Sequence, residues 1–253
     1  MANWEDKFRD NLLEVLYRPD QPRDEKGRWT SGGSGGGGDG KFVPAKTVGE
    51  AENILKERGV EYSYYGEVSE DTKLKYLNAH SQALTDLEQA GIDTSTIGRH
   101  ISLYDEELVP GLLAISGRGV GGDWGYAAYV TPELQEQAEA HYAENLNDLA
   151  KGDIPTSMQT SSMDTAIHEM GHNLRHQLPE EAQRRWEEYY HERGAWTALD
   201  DVATNQGVPA PSFWAQESAS ELFAESLVAY VRGVKCEAVD YLGEMLTELG
   251  FKK

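Results

Sequence analysis

The pentapeptide His168-Glu169-Met170-Gly171-His172 places two imidazoles four residues apart, with a carboxylate beside the first. On a helix, side chains four positions apart lie on one face with their Cβ atoms about 6 Å apart, so both imidazoles can bind one metal ion. Imidazole nitrogen is a common zinc ligand, and a catalytic zinc site keeps one position open for water. The pattern predicts a zinc site with His168 and His172 as ligands and Glu169 as general base.

The residues around the pentapeptide predict the helix that this spacing requires. Ser161, followed three residues later by Asp164, is typical of a helix N-terminus. Apolar residues then recur at three- and four-residue intervals and predict a buried stripe: Met163, Ile167, Met170, Leu174 and Leu178. The alternative interpretation is a core helix that carries two surface histidines by chance.

A zinc held by two histidines needs a third protein ligand, and three continuations compete. A metzincin has Gly and His at the third and sixth positions after the second histidine, where this chain has Arg175 and Leu178. His176 lies one turn beyond the second histidine, although three histidines along one helix splay apart. Glu221 and Glu225 lie four apart in an apolar, helically spaced segment, where a buried carboxylate needs a partner or a metal. A solvated helix edge is the alternative interpretation of the two glutamates.

These motifs resemble those of the gluzincin metallopeptidases, whose zinc is bound by His-Glu-x-x-His and a downstream glutamate. The run Glu221-Leu222-Phe223-Ala224-Glu225 is especially similar to that of the compact lethal-factor-like and phage-encoded gluzincin domains. The resemblance covers about residues 100–230. It implies zinc bound by His168, His172 and Glu221, with Glu169 as general base and Glu225 behind a zinc histidine as its hydrogen-bond acceptor.

The resemblance leaves one catalytic role unassigned. Many such domains carry a tyrosine about seven residues before the glutamate ligand, and this chain has Trp214 there. The group that would stabilise the oxyanion therefore has only candidates, which are Tyr189, Tyr190, His191 and Tyr230. The resemblance also implies a polypeptide substrate that adds as a strand to the edge of the sheet, for which we expect residues 124–130 with Trp124, Tyr126 and Ala128.

The pattern of apolar residues predicts an α+β fold, a mainly helical zincin-like domain with a small, mostly antiparallel sheet before the metal-binding helix. The folded domain is expected over residues 47–253. Residues 1–46 are predicted to be an arm, with a short amphipathic segment at 4–17 and a flexible Gly/Ser-rich tether at 31–40.

The arm carries a second resemblance. Residues 22–29, Pro-Arg-Asp-Glu-Lys-Gly-Arg-Trp, are similar to a segment that joins modules in tailed-bacteriophage structural and head-morphogenesis proteins. It implies a phage setting, in the virion or the host cytoplasm, with a phage structural protein as partner of the arm. An alternative function is a non-catalytic zinc-containing virion module anchored by this arm, and a third is a peptidase that cuts its own tether.

Charge and composition exclude other classes. The net charge is −21, and all of the excess lies in residues 47–253, which argues against nucleic acid as a substrate. No stretch approaches the roughly 18–20 apolar residues of a membrane span, and the N-terminus lacks the pattern of a secretory signal. Cys236 is the one cysteine, so an internal disulfide is impossible.

Overall fold

The computed structural model describes residues 42–107, 113–118, 124–151, 155–194, 210–234 and 236–252. The amphipathic segment, the phage-like segment and the Gly/Ser-rich tether lie outside the described residues. Within the described ranges, no helix is both long and apolar enough to cross a membrane.

The described residues contain seven α-helices and four β-strands, and the mainly helical α+β fold is confirmed. Short turns of π-helix and 3-10 helix occupy Tyr190–Gly194 and Trp214–Gln216. The elements in chain order are α1 Val48–Glu57, β1 Glu61–Tyr65, α2 Glu70–Gln89, β2 His100–Tyr104, β3 Ala114–Arg118, β4 Trp124–Tyr129, α3 Pro132–Lys151, α4 Ser162–Gln177, α5 Glu180–Tyr189, α6 Ala219–Val231 and α7 Glu237–Glu248.

The sheet is mixed, in the order β1-β2-β4-β3. Strands β1 and β2 are parallel, as are β2 and β4, and the pair β3–β4 alone is antiparallel. The expectation of a mostly antiparallel sheet is therefore wrong for two of the three pairs. For β1 and β2 the physical reason is the connection through α2, because a crossover helix between neighbouring strands returns the chain in the same direction. For β2 and β4 it is the position of β3, which runs opposite to β4 on its far side, so that β4 lies beside β2 in the same direction.

The substrate strand predicted at residues 124–130 is also corrected. Strand β4 lies inside the sheet, between β2 and β3, so its backbone groups are already paired on both sides. Tyr126 and Ala128 are buried, and no peptide can add beside them. The edge next to β4 is β3, while Trp124 lies at the start of β4 and is only partly buried.

Helix α4 is the central element and packs on β3, β4, α2 and α6. It begins as predicted, since the Ser161 side chain accepts a hydrogen bond from the Asp164 N–H. Ile167, Met170 and Leu174 are fully buried in the core. The predicted apolar stripe of this helix therefore faces the rest of the fold.

The packed domain begins slightly before the predicted boundary at Thr47. Ala45 is buried, and its backbone N–H and carbonyl both bond to the Asn78 side chain on α2, at 2.8 and 3.0 Å. Thr47 then caps α1 by accepting a hydrogen bond from the Glu50 N–H. The Glu50 carboxylate in turn accepts a hydrogen bond from the Lys46 N–H at 2.8 Å.

Candidate metal centre

Three side chains from α4 and α6 converge on one point. His168 Nε2 lies 3.2 Å from Glu221 Oε2, His172 Nε2 lies 3.4 Å from Glu221 Oε1, and the two Nε2 atoms are 3.1 Å apart. Among the described residues, these three form the one group with the composition and spacing of a metal site. The structure thus brings together all three residues that the sequence predicts as ligands.

The spacing of these atoms fits zinc. Zinc bonds to nitrogen and carboxylate oxygen are about 2.0–2.1 Å, and tetrahedral angles then place neighbouring ligand atoms about 3.3 Å apart. The two Nε2 atoms are 3.1 Å apart, and the nearest nitrogen-oxygen distances, to the two different oxygens of Glu221, are 3.2 and 3.4 Å, close to that value. Two nitrogen donors and one carboxylate also form a donor set that zinc prefers, with a fourth position left for water.

Glu225 supports His168 from the side opposite Glu221. Its Oε1 lies 2.8 Å from His168 Nδ1, so the imidazole is held between two carboxylates. Burial disfavours the charged form of His168, but its contacts with Glu221 and Glu225 outweigh burial and raise its pKa to about 10. The negative groups around this imidazole therefore favour a positive charge here, either a proton or a metal ion.

The carboxylate of Glu225 is fully buried and held by three donors. Ser157 Oγ donates to Oε1 at 2.9 Å, while the Met158 N–H and Ser212 Oγ donate to Oε2 at 2.5 and 2.6 Å. Burial raises the pKa of Glu225, but His168 and these donors outweigh it and keep the pKa below its usual range. An ionised carboxylate fixed in this way orients the His168 ring and leaves Nε2 facing the metal position.

His172 is oriented by a different partner. Its Nδ1 lies 2.9 Å from Ser220 Oγ, on the first turn of α6. Burial lowers the pKa of His172 to about 4, and the charge of His168 acts in the same direction. The imidazole is therefore neutral at pH 7, which is the form that binds a metal.

Glu169 lies beside the candidate ligands. Burial raises its pKa to about 7, Glu221 adds to the rise, and His168 and a backbone hydrogen bond from Ser116 oppose it. The Ser116 N–H belongs to β3, so the carboxylate lies against the edge strand. A carboxyl group with such a pKa can accept and release a proton near neutral pH.

The two helices are joined by close packing and by an ion pair whose carboxylate is fully buried. A Cβ atom on Gly171 would lie 2.9 Å from Ala224 Cα, so only glycine allows this approach of α4 to α6. Asp164 is fully buried in the first turn of α4 and accepts from Arg232 Nε at 2.7 Å, just after α6. Together these contacts fix the distance between the histidines and Glu221.

The other candidates lie away from the three ligand atoms. His176 is exposed and stacks on Trp124, so it is not the third ligand. Tyr230 lies nine residues after Glu221, about 13 Å along the helix. Its hydroxyl is 3.5 Å from the Ala90 carbonyl.

The remaining candidate electrophiles lie on α5 and the turn that follows it. Tyr189 is buried and stacks on Tyr241 of α7 with ring centroids 4.3 Å apart. The Tyr190 hydroxyl donates to the Gln216 carbonyl at 2.8 Å. His191 is exposed beside the Tyr190 ring. None of these contacts assigns the oxyanion-stabilising role.

Several contributors to the site carry little signal in the sequence. Ser116, Ser157 and Ser212 are distant in the chain and reach the site only through folding. Gly171 is different, because a glycine inside a helix costs about 1 kcal/mol relative to alanine and so indicates a packing requirement. That signal is readable within the pentapeptide itself.

Comparison of the chain with models of protein families, with curated proteins and with solved structures gives no match in any of the three. The description of the site consequently depends on its own residues and their geometry.

Proposed function

We propose that this protein is a zinc-dependent endopeptidase of the gluzincin type. The observation that carries the proposal is the cluster of His168, His172 and Glu221 next to the buried carboxylate of Glu169. In this cluster the two Nε2 atoms are 3.1 Å apart, and each lies within 3.4 Å of one carboxylate oxygen of Glu221. A metal site alone would not favour a hydrolase. The combination of three protein ligands with an adjacent base of raised pKa does.

The chain's own residues have distinct parts in this chemistry. Zinc bound by the three ligands would polarise the scissile carbonyl and make a water molecule more acidic. Glu169 accepts the proton of the attacking water and passes it to the departing amine. Glu225 and Ser220 hold the two imidazoles in place while the bond is cut.

Strand β3 is the edge along which we place the peptide. Leu113 accepts a hydrogen bond from the Tyr129 N–H, and with the observed register this makes Ile115 and Gly117 the residues bonded to β4. The backbone groups of Ala114 and Ser116 then point away from β4. The Ser116 N–H reaches Glu169, so a peptide added to this edge would lie beside the base.

The test is the substitution Glu169→Gln, which removes the base and keeps the shape of the side chain. The variant should bind one equivalent of zinc like the wild type and lose cleavage of an unfolded casein-type substrate, because base catalysis contributes about 100- to 10,000-fold. Glu144→Gln, an exposed glutamate on α3, is the matched control and should keep full activity. Retained cleavage by Glu169→Gln would eliminate the assigned base.

The second candidate is a non-catalytic zinc module of a phage particle, attached by the N-terminal arm. It is favoured by the contacts of Tyr189, Tyr190 and Tyr230, which leave the oxyanion-stabilising group unassigned among the described residues. The phage setting itself depends on the resemblance of residues 22–29. Zinc at one equivalent without cleavage of any peptide in a diverse library would favour this candidate over the peptidase.

A further inference from the structure

An aromatic pair lies beside the metal centre and has no part in the chemistry above. The rings of Trp124 and His176 are stacked, with centroids 5.0 Å apart and planes inclined by 7°. His176 is exposed, and Trp124 is partly buried. His176 follows His172 by four residues, so it lies about 6 Å further along the same side of α4. The pair is therefore one helical turn from a metal ligand.

The pair also lies along the proposed path of the peptide. Helix α4 follows β3 and β4 so that Glu169 is next to Ser116, and Asn173 donates to the Gly125 carbonyl at 3.0 Å. Further along α4, the ring of His176 stacks on Trp124. In the sheet, Trp124 of β4 pairs with Arg118 of β3. Moving along β3 from Ser116 towards Arg118 thus leads from the base to the aromatic pair.

The stack is not what holds β4 against α4. That connection is made by the buried Asn173–Gly125 hydrogen bond, which joins α4 to the backbone of β4. An exposed histidine on a tryptophan adds little to such an anchor. It does place two stacked aromatic rings, one of them exposed, one helical turn from His172.

We propose that Trp124 and His176 form a subsite for an aromatic side chain of the polypeptide substrate, on the N-terminal side of the scissile bond. This inference rests on the proposed peptidase function. The position N-terminal to the bond follows if the peptide adds to β3 in the antiparallel direction, which is the more stable form of strand pairing. The N-terminal part of the peptide then lies towards Arg118. An aromatic ligand is favoured because two stacked rings offer a flat face against which another ring can pack.

The first experiment maps the cleavage preference. The zinc-loaded wild type is incubated with a diverse peptide library, and the residues flanking each cut bond are identified by mass spectrometry. Enrichment of Phe, Tyr or Trp at one position N-terminal to the bond is the expected result. Cleavage without such enrichment, or enrichment of Arg or Lys there, would overturn the aromatic subsite. The proposed peptidase function would not be affected by that result.

The second experiment assigns the preference to the pair. His176→Ala should lower kcat/KM for an aromatic peptide about 3- to 10-fold and leave an alanine-substituted peptide unchanged, because an aromatic contact contributes on that scale. His176→Phe retains a planar ring and should restore the preference for the aromatic peptide. Trp124→Phe should likewise keep that preference, and Trp124→Leu should lose it. An equal loss for both peptides in His176→Ala would contradict a subsite.

Binding separates the two proposals. The zinc-loaded Glu169→Gln variant is titrated with the same two peptides by calorimetry, with and without His176→Ala. Tighter binding of the aromatic peptide that is lost with His176→Ala supports the subsite. If the wild type also cuts no peptide, the proposed peptidase function fails while the subsite remains supported. No difference between the peptides overturns the subsite.

Discussion

His168 and His80 are both buried histidines, but the groups around them differ. His168 lies between the carboxylates of Glu221 and Glu225, which raise its pKa to about 10 against the effect of burial. His80 is fully buried, stacks near Tyr126 and has no carboxylate partner among the described residues, so burial lowers its pKa to about 4. The difference teaches that carboxylates, rather than burial, make an imidazole site attractive to a cation.

His80 also corrects an expectation from the sequence. The leucines of α2 lie on one side of the helix, at positions 74, 77, 84 and 87, and His80 lies off that side, which predicts a solvated side chain. The side chain is instead fully buried, with Nε2 2.8 Å from the Gly98 carbonyl oxygen. Helix α2 is covered on more than one side, by α1 and by α4, so the leucines alone underestimate the buried face. The neutral imidazole is stable there because one nitrogen donates to a backbone acceptor.

The largest effect should follow from Glu221→Ala, which takes away a ligand and makes the surroundings of His168 more like those of His80. We expect zinc binding and peptide cleavage to be lost while the zinc-free fold remains, since the Glu221 side chain is 27% exposed. Zinc content by elemental analysis measures the loss. Glu217→Ala, an exposed glutamate one turn earlier, is the control and should retain zinc.

Glu225→Gln should have the next largest effect, because it keeps the shape of the group behind His168 and removes its charge. Loss of such a supporting carboxylate weakens metal binding about 10- to 100-fold. Competition with a chelator of known affinity measures the change. An unaltered zinc affinity would show that Glu225 only stabilises the core around Ser157 and Ser212.

Gly171→Ala tests whether the distance between α4 and α6 defines the site. The added methyl would meet the backbone of Ala224, and overpacking of this kind costs about 1–3 kcal/mol. We expect a lower free energy of unfolding in urea together with weaker zinc binding. Gly49→Ala in α1, where a Cβ atom has nothing within 4 Å, is the matched control and should not destabilise.

The smallest effect concerns His80 and separates the two histidines by pH. A folded-state pKa of about 4 lies below the ordinary 6.5, so the stability from a neutral His80 is complete above pH 6.5 and is lost as the pH falls towards 4. Between pH 7 and 5, zinc-free wild type should lose about 1–2 kcal/mol more unfolding free energy than His80→Gln. Parallel urea curves at the two pH values measure this, and equal losses would contradict a buried neutral imidazole.

Local features of the fold are well predicted by the sequence. The helix of the pentapeptide begins at Ser161, and the apolar stripe predicted for it is buried. The spacing of His168 and His172 follows from that helix alone. These features depend on residues within one or two turns of each other, so periodicity and capping are enough to predict them.

Strand order is the part that sequence pattern does not supply. Each strand was recognisable from its apolar residues, but pairing depends on where the chain returns after α2 and after β3. For this reason β4, with Trp124 and Tyr126, is an interior strand rather than the edge. The strand–helix–strand order of β1, α2 and β2 did carry a signal for parallel pairing.

The sequence by itself determined the chemistry that this protein can hold: two imidazoles and a carboxylate on one helix, and two further glutamates on one face of another. Only the tertiary structure decided that Glu221 meets both imidazoles while Glu225 is enclosed by Ser157, Met158 and Ser212. The physical reason is that helical spacing is local, whereas the approach of two helices is set by long-range packing at a single glycine, Gly171.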